Sequence, residues 1–515
     1  MSDTRHFPMD SSTPGNGSPS KPAKLTEMVA AQKARIPGQL NGEITEGAIT
    51  FQTSHGITVR GTLHKLARNQ VVFEAYSPEA LVQMSEVLSN FTVLLDDRAV
   101  YSGKAVVSNI IHTGLCAMCE AQLDDGWSEG SICVPTLESE EIKAHFGTFL
   151  QQWGRAYKIL PEYKVVIADL HSFLVDLKRW LEQVELTIRS SPAGSRNTLE
   201  REIIQGLSPR TSAAIGELFD RFENVARTVE PEFVPLHQAF GRRHLHPLIL
   251  SAPFVYRTLQ KPLGHAGDYE MVNMMLRDPY EGASLFAKAF NACALNRPPI
   301  VAHRNRLRYL GDKLLDETLR NLRRGRNLKV LNIGCGPAHE VQTFLREQSC
   351  SDRADFTLID FDEEAVEHVS RVMEQCKSQY GRTTACHVSR TSAQQLLKKS
   401  AKPTVGGPQE KYNFIYSAGL FDYFPDPICR SLMSYFYNLL EPGGLLLVTN
   451  VDTHSSQLEM EYFLEWHLIY RDTQTMKKLV PSSVAPHEVS LFREPAGINT
   501  FLEIRKAEGE QKPSI

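Results

Sequence analysis

The chain has 515 residues, 56 of them Lys or Arg against 60 Asp or Glu, for a net charge of −4, with 42% hydrophobic and 23% charged residues. This is globular composition in a chain too long for one core, and at roughly 150 residues per domain it predicts about three. The near balance of charge excludes an electrostatic footprint for nucleic acid or an anionic membrane, and no apolar run reaches the roughly 18 residues of a membrane span.

The first stretch, "MSDTRHFPMDSSTPGNGSPSKPAK", has no apolar h-region and reads as a disordered tail over residues 1–25 rather than a secretory signal. With no export signal, the nine scattered cysteines are expected to be reduced thiols in a cytoplasm. Cys116 and Cys119 form a C-x-x-C within "GLCAMCEAQL", but no second pair completes a zinc site. A strand is the expected reading there, and no metal site is expected.

Residues 45–137 carry a β pattern. "GITVRGTLHKL", "NQVVFEAYS", "FTVLLDD", "RAVYSGKAVVSNII" and "LCAMCEAQL" alternate or run apolar over strand lengths between Gly, Asn, Asp and Pro. "SPEALVQMSEVL" reads as one short amphipathic helix between them. Such strands predict a small antiparallel β-barrel. The layout resembles a PilZ-type barrel, a module in which many bacterial proteins bind cyclic di-GMP through R-x-x-x-R and [D/N]-x-S-x-x-G motifs. Neither motif stands here: Arg60 has no arginine four residues away, and "ARNQVVFEAY" occupies the place of the second. Cyclic di-GMP is therefore not an expected ligand, and the barrel is expected to serve protein contacts.

Residues 138–250 switch to a helical period. "SEEIKAHFGTFLQQWGRAYKIL" and "YKVVIADLHSFLVDLKRWLEQVELTI" place apolar residues at i, i+3, i+4 and i+7. Phe146, Phe149, Trp153 and Tyr157 are expected to pack in a helical core. The region reads as a helical connector, which with the barrel is a candidate surface for a homodimer or protein partner. Residues 251–328 read as a helical cap.

Over residues 329–507 the pattern becomes strand, helix, strand. "LKVLNIGCGPAHEVQTFL" is a strand, a glycine turn and a helix; "ADFTLIDFDEEAVEHV" is a strand ending in an acid, then a helix. "YNFIYSAGLFDYF" and "LEPGGLLLVTNV" supply two further strands, and the order predicts a doubly wound parallel sheet. Gly334 and Gly336 let the backbone approach a ligand, whereas His339 stands where a dinucleotide fingerprint wants Gly or Ala. Asp360 lies 24 residues after Gly336, where a carboxylate can take both hydroxyls of a ribose.

These features together closely resemble a class I S-adenosylmethionine-dependent methyltransferase with a Rossmann-like, mostly parallel sheet. The resemblance implies that Gly334 and Gly336 approach the methionine and ribose of the cofactor and that Asp360 binds the ribose. It also implies Thr391 and Ser392 at the adenine edge and Ser417 and Ala418 on the sulfonium side. Asp362 reads as a helix-start acid.

"KPLGHAGDYEMVNMMLRDPYEGASLFAKAFN" and "VAHRNRLRYLGDKL", with the late "DTHSSQLEMEYFLEWHLIYRD", resemble one bacterial family more narrowly. Its members make 3-hydroxy fatty acid methyl esters, such as the 3-hydroxypalmitic acid methyl ester used as a quorum signal. The resemblance spans Lys261 to Ile504 and implies a carboxyl O-methyltransferase with a small-molecule acyl substrate. Methylation of another small-molecule oxygen or nitrogen stays open. So does a non-catalytic signalling or scaffold protein that senses S-adenosylmethionine or a nucleotide.

An acyl carboxylate, with a pKa of about 4 to 5, is already ionised at neutral pH and needs no general base. It needs a polar anchor and an apolar tunnel. Arg304 and Arg308 share a helix face and are anchor candidates, with Arg306 pointing away beside His303. His454, Trp466, His467, Tyr470 and Arg471 follow the fifth strand, and Trp466 and Tyr470, at i and i+4, are candidates for a tail pocket or for core packing. Of these, Arg304, His467 and Tyr470 are the catalytic candidates. "MVNMML" and "FNACAL" are candidates for the tunnel or for core. In "GHAGDYE" the glycines allow a tight turn over the cofactor, with Tyr269 against it and Asp268 or Glu270 facing its ammonium group; a helix cap at Asp268 is the alternative.

Overall fold

The computed structural model describes residues 47–67, 69–76, 82–95, 98–112, 116–124, 146–147, 150, 158–392, 395–398 and 410–508. The fold is multidomain α/β, with an N-terminal barrel, a helical layer and a C-terminal mostly parallel sheet.

Strands β1 (Gly47–Gln52), β2 (Thr58–Ala67), β3 (Gln70–Ala75), β4 (Val87–Leu95), β5 (Arg98–His112) and β6 (Ala117–Leu123) close an antiparallel barrel in the order β1-β2-β3-β6-β5-β4. Period-two alternation fills it: Val71, Phe73 and Ala75 of β3 are buried, and the rings of Phe51, Phe73 and Phe91 lie 5.4–5.8 Å apart. Cys119 is buried within β6, and the Cys116 thiol donates to Glu74 Oε1 at 2.6 Å. Among the described residues no His, Cys, Asp and Glu cluster could hold a metal ion.

The barrel departs from the sequence pattern at "SPEALVQMSEVL". Residues 77–81 lie outside the described residues, but 82–86 form a turn and Val87 starts a strand. The cause is Glu86, whose buried carboxylate accepts the Ser54 amide (2.9 Å), the Ser54 hydroxyl (2.8 Å) and the Gln83 amide (2.8 Å). Side-chain-to-backbone bonds of this kind compete with helix formation.

The barrel is bonded to the rest of the protein. The Val87 amide donates to Gly264 O at 2.7 Å, and the Gln122 side chain donates to Gln238 Oε1 at 2.7 Å. Ser85 Oγ accepts the His467 amide at 2.5 Å and donates to His467 O at 2.9 Å.

Helices α1 (Pro161–Arg189), α2 (Arg196–Ala226) and α3 (Val234–Ile249) pack with α4 (Pro253–Gln260), α5 (Tyr269–Leu276), α6 (Leu285–Ala294) and the start of α7 (Pro298–Leu322). Their apolar faces form one core containing Tyr163, Phe222, Leu245, Phe254, Met275 and Phe290. The connector and the cap of the sequence reading are therefore a single layer, because each helix buries its stripe against the next. Of the four aromatics expected to pack at the start of this region, Phe146 is exposed and the other three lie outside the described residues. Among the described residues no helix is long and apolar enough to cross a membrane.

One acid in this layer carries a pH prediction. Glu223 of α2 accepts the Glu459 amide at 2.8 Å and pairs with Arg227, yet burial pushes its carboxyl up to about 7. A carboxyl whose folded pKa lies above its unfolded value costs stability as pH rises from the unfolded pKa through the folded one. Glu223→Gln is therefore expected to raise the melting temperature more at pH 8 than at pH 5, reaching about 2 kcal/mol above neutrality. Thermal unfolding at the two pH values checks this; an equal effect at both would contradict it.

The sheet contains β7 (Leu328–Ile333), β8 (Ala354–Asp360), β9 (Ala385–Arg390), β10 (Tyr412–Ala418), β11 (Leu440–Val451), β12 (Val489–Arg493) and β13 (Asn499–Arg505), in the order β12-β13-β11-β10-β7-β8-β9. Strands β7 to β11 pair in parallel, while β13 pairs antiparallel with both β11 and β12. "EPGG" lies inside β11 as an irregularity, with Gly443 at φ 75° and a register shift opposite Tyr412–Phe414. Helices α8 (His339–Glu347) and α9 (Glu363–Tyr380) follow β7 and β8, and α10 (Asp426–Leu439) precedes β11. The chain runs outward from β7 through β8 to β9 and then returns to β10 on the other side of β7. That reversal opens a crevice at the carboxyl ends of the strands, the place where open α/β sheets bind ligands.

Candidate functional site

A cavity of about 870 Å³ fills this crevice, a size suited to a cofactor together with a second small molecule. Its floor is the turn after β7. Gly334 and Gly336 hold φ values of 70° and 50°, a left-handed conformation that glycine adopts without strain, and the place of a Cβ on Gly336 is open space. The Gly334 amide donates to Ile359 O at 2.8 Å, and the Gly336 amide donates to Asp360 Oδ2 at 2.8 Å. Asp360 Oδ1 accepts the amides of Phe361 (2.7 Å) and Asp362 (3.1 Å). The carboxylate is thus fixed at the end of β8 beside the glycine turn, although burial pushes its pKa up. An acceptor-only group on a glycine floor suits a ribose diol, which brings donors.

The first turn of α8 adds a buried acid that the sequence reading did not single out. Glu340 lines the cavity and accepts from Asn332 Nδ2 (3.0 Å) and the Tyr416 hydroxyl (2.7 Å); burial raises its pKa. The signal was available, since an acid in the first turn after a glycine loop faces the same ligand.

The loop 261–267 forms the opposite wall. Gly264 and Gly267 both take φ 81°; a Cβ on the first would lie 2.7 Å from Ser54 Cβ of the barrel, and one on the second 2.7 Å from the Tyr423 hydroxyl. These glycines serve close approach on two sides. His265 between them reaches Asp362 at 3.6 Å, while Asp362 also caps α9 through the Glu364 amide. Tyr269 lines the cavity and packs on His368 with ring centroids 4.7 Å apart. Asp268 does not line it. Its carboxylate caps α5 at Met271 N (2.7 Å) and pairs with Arg257 at 3.0 Å, so the capping role is the one seen. Glu270 pairs with Arg277 and accepts from Asn273.

Of the arginines on α7, Arg306 is the one that lines the cavity. Helix α7 buries the stripe Ala302, Arg306, Leu310 and Leu314, which turns Arg306 into the cavity. Arg304 instead donates to Met275 O at 3.0 Å outside the cavity lining, and Arg308 is exposed. Arg306 NH2 bonds His303 Nδ1 at 2.8 Å, NH1 reaches Asn499 Oδ1 at 3.4 Å, and Nε has no partner. Burial and the adjacent guanidinium hold His303 well below its usual pKa, so it is neutral. With Nδ1 accepting from Arg306, its proton sits on Nε2, a buried donor without a partner.

Beyond Ala418 and Gly419 the cavity runs past Tyr423, Val451, His454, Met460, Trp466, Leu468 and Ile498. The Trp466 indole donates to the Tyr423 hydroxyl at 3.1 Å. A second, apolar void of about 80 Å³ lies behind this wall and shares Pro299, Ile300, Met460 and Trp466 with it. Among the segments read as tunnel candidates, Met271, Val272 and Met275 line the main cavity, and Phe290, Cys293 and Ala294 line the void.

Other candidates lie elsewhere. The His467 ring is buried, with its pKa pushed down to about 3, and its backbone is bonded to the barrel; Tyr470 packs near His454, and neither lines the cavity. The i, i+4 argument fails there because residues 465–472 are not helical, with Glu465 at φ 50°. Arg471 is fully buried, bonding Asp426, Asn450 and the carbonyls of Phe421 and Phe424, so it pins the loop after β10. The Ser417 hydroxyl donates to Ile333 O at 2.8 Å, tying β10 to β7. Thr391 donates its amide to Asp360 O at 2.9 Å, and Ser392 bonds Gln395; both sit past β9 and outside the lining.

Residues 302–483 match the family model described as a methyltransferase domain. No curated protein matches the chain. Among solved structures the chain is similar to a "possible exported protein" from Bordetella parapertussis, with TM-score 0.38 and 17% identity over 62% of this chain and 99% of that one. It is also similar to magnesium protoporphyrin IX methyltransferase from Synechocystis PCC 6803 with bound SAH, with TM-score 0.30 and 12% identity over 40% of this chain and 84% of that one. A third is N-methyltransferase NodS from Bradyrhizobium japonicum WM9, with TM-score 0.25 and 14% identity over 39% and 96%. TM-scores this low carry no argument about substrate or site.

Proposed function

We propose that this S-adenosylmethionine-dependent methyltransferase esterifies the carboxylate of a 3-hydroxy fatty acid, a product of the quorum-signal type. The observation that carries the reading is Arg306: a buried guanidinium with an unpartnered Nε, facing a cavity whose far wall is apolar.

Bound S-adenosylmethionine supplies an electrophilic methyl group. Gly334 and Gly336 seat it, Asp360 takes its ribose, and Glu340 faces its ammonium group. Arg306 holds the acceptor carboxylate through its planar fork, and the His303 Nε2–H offers a second donor to the carboxylate or the 3-hydroxyl. The ionised carboxylate attacks without a base, so orientation and exclusion of water provide the rate. Met460, Trp466 and Leu468 receive the start of the acyl chain, and the void behind them extends the apolar path.

The test is incubation with labelled S-adenosylmethionine and a series of 3-hydroxy fatty acids. Base-labile methyl esters are expected, with the 3-hydroxy acids preferred over unsubstituted ones. No ester at any chain length would overturn the proposal, and label in base-stable products would point to another oxygen or nitrogen acceptor.

A further inference from the structure

The β1–β2 turn of the barrel, at residues Thr53 to Gly56, lines the same cavity as Asp360 and the glycine turn. Its position is fixed three times over. Glu86 ties Ser54 down through its amide and hydroxyl, Gly264 presses against Ser54 with no room for a side chain, and the Val87 amide bonds Gly264 O at 2.7 Å. His55 of this turn lines the cavity together with His265, Asp362 and Arg390. His265 in turn reaches Asp362 at 3.6 Å and lies within the field of Asp360. Two imidazoles, one from the barrel and one from the loop, therefore stand on the wall facing the carboxylate that takes the ribose.

We propose that the barrel is a wall of the cofactor site and that His55, with His265, contacts the nucleoside half of S-adenosylmethionine. Planar imidazoles there supply a ring face for adenine and ring nitrogens for the ribose hydroxyls. On this assignment cofactor affinity depends on a residue 273 positions upstream of the sheet's first strand, the distance from His55 to Leu328 in sequence.

Calorimetric titration of the full chain with S-adenosylhomocysteine tests it, because the readout is binding rather than turnover. His55→Ala is expected to weaken binding about tenfold, whereas His64→Ala, at the His64–Glu74 pair between β2 and β3, leaves it unchanged. Hydrogen exchange at residues 53–57 is expected to slow when the ligand is added. Unchanged affinity in His55→Ala would overturn the proposal. So would an equal loss in His64→Ala, which would mark a general loosening of the barrel. Gly264→Ala, which strikes Ser54, gives a second route: weaker binding with a retained barrel melting transition supports the wall, and unchanged binding contradicts it.

Discussion

Arg306→Lys is expected to lower kcat/KM for a carboxylate acceptor about 100-fold, and Arg306→Met about 1,000-fold, with S-adenosylhomocysteine affinity held within about threefold. The guanidinium is buried on the Ala302–Leu314 stripe of α7, and its bonds go to the neutral groups His303 and Asn499. A buried cation without a bonded carboxylate is costly, and an incoming acceptor anion relieves that cost. Lysine keeps the charge but not the fork; methionine keeps the stem alone. Because Met removes a buried charge, its melting temperature is expected to match or exceed that of the parent, which separates lost chemistry from lost folding. Steady-state kinetics beside calorimetry checks the pair. A parallel fall in S-adenosylhomocysteine affinity would reassign Arg306 to the cofactor's own carboxylate.

Asp360→Ala is expected to weaken S-adenosylhomocysteine binding about 100-fold, two charge-assisted bonds being worth roughly 3 kcal/mol together. The side chain has two duties here. It lines the cavity, where it is proposed to take the ribose, and it accepts the amides of Gly336, Phe361 and Asp362. Its removal loosens the glycine turn as well as deleting an acceptor, so the unliganded melting temperature falls too. Titration calorimetry and melting curves without ligand measure the two effects separately. Retained affinity would remove the ribose from this end of β8.

What the sequence made legible was local. The glycine turn, the acid 24 residues later and the period-two and period-3.6 patterns each depend on neighbours in the chain, and the barrel and doubly wound sheet follow from them. Asp362 as a helix cap was readable for the same reason. Which arginine lines the cavity was not, because i, i+4 spacing groups Arg304 with Arg308 but does not say which face meets the sheet. Ala302, Leu310 and Leu314 did carry that information, with Arg306 in register between them. His467 and Tyr470 lie outside the cavity lining because bonds to Ser85 hold an irregular segment where the spacing suggests a helix. Ser54 and His55 had no local signal, since their place in the cavity rests on Glu86 and Gly264, contacts that close only in the folded chain.

Gln52 and Asn499 line one cavity, and almost the whole chain lies between them. During translation the barrel can fold early, since N-terminal units generally precede later ones. A nascent chain halted before β13 would already carry the glycine turn and Asp360, but not Asn499, which bonds Arg306. The bond that sets the proposed acceptor anchor therefore forms only at the end of synthesis, after the glycine turn and Asp360 have been made.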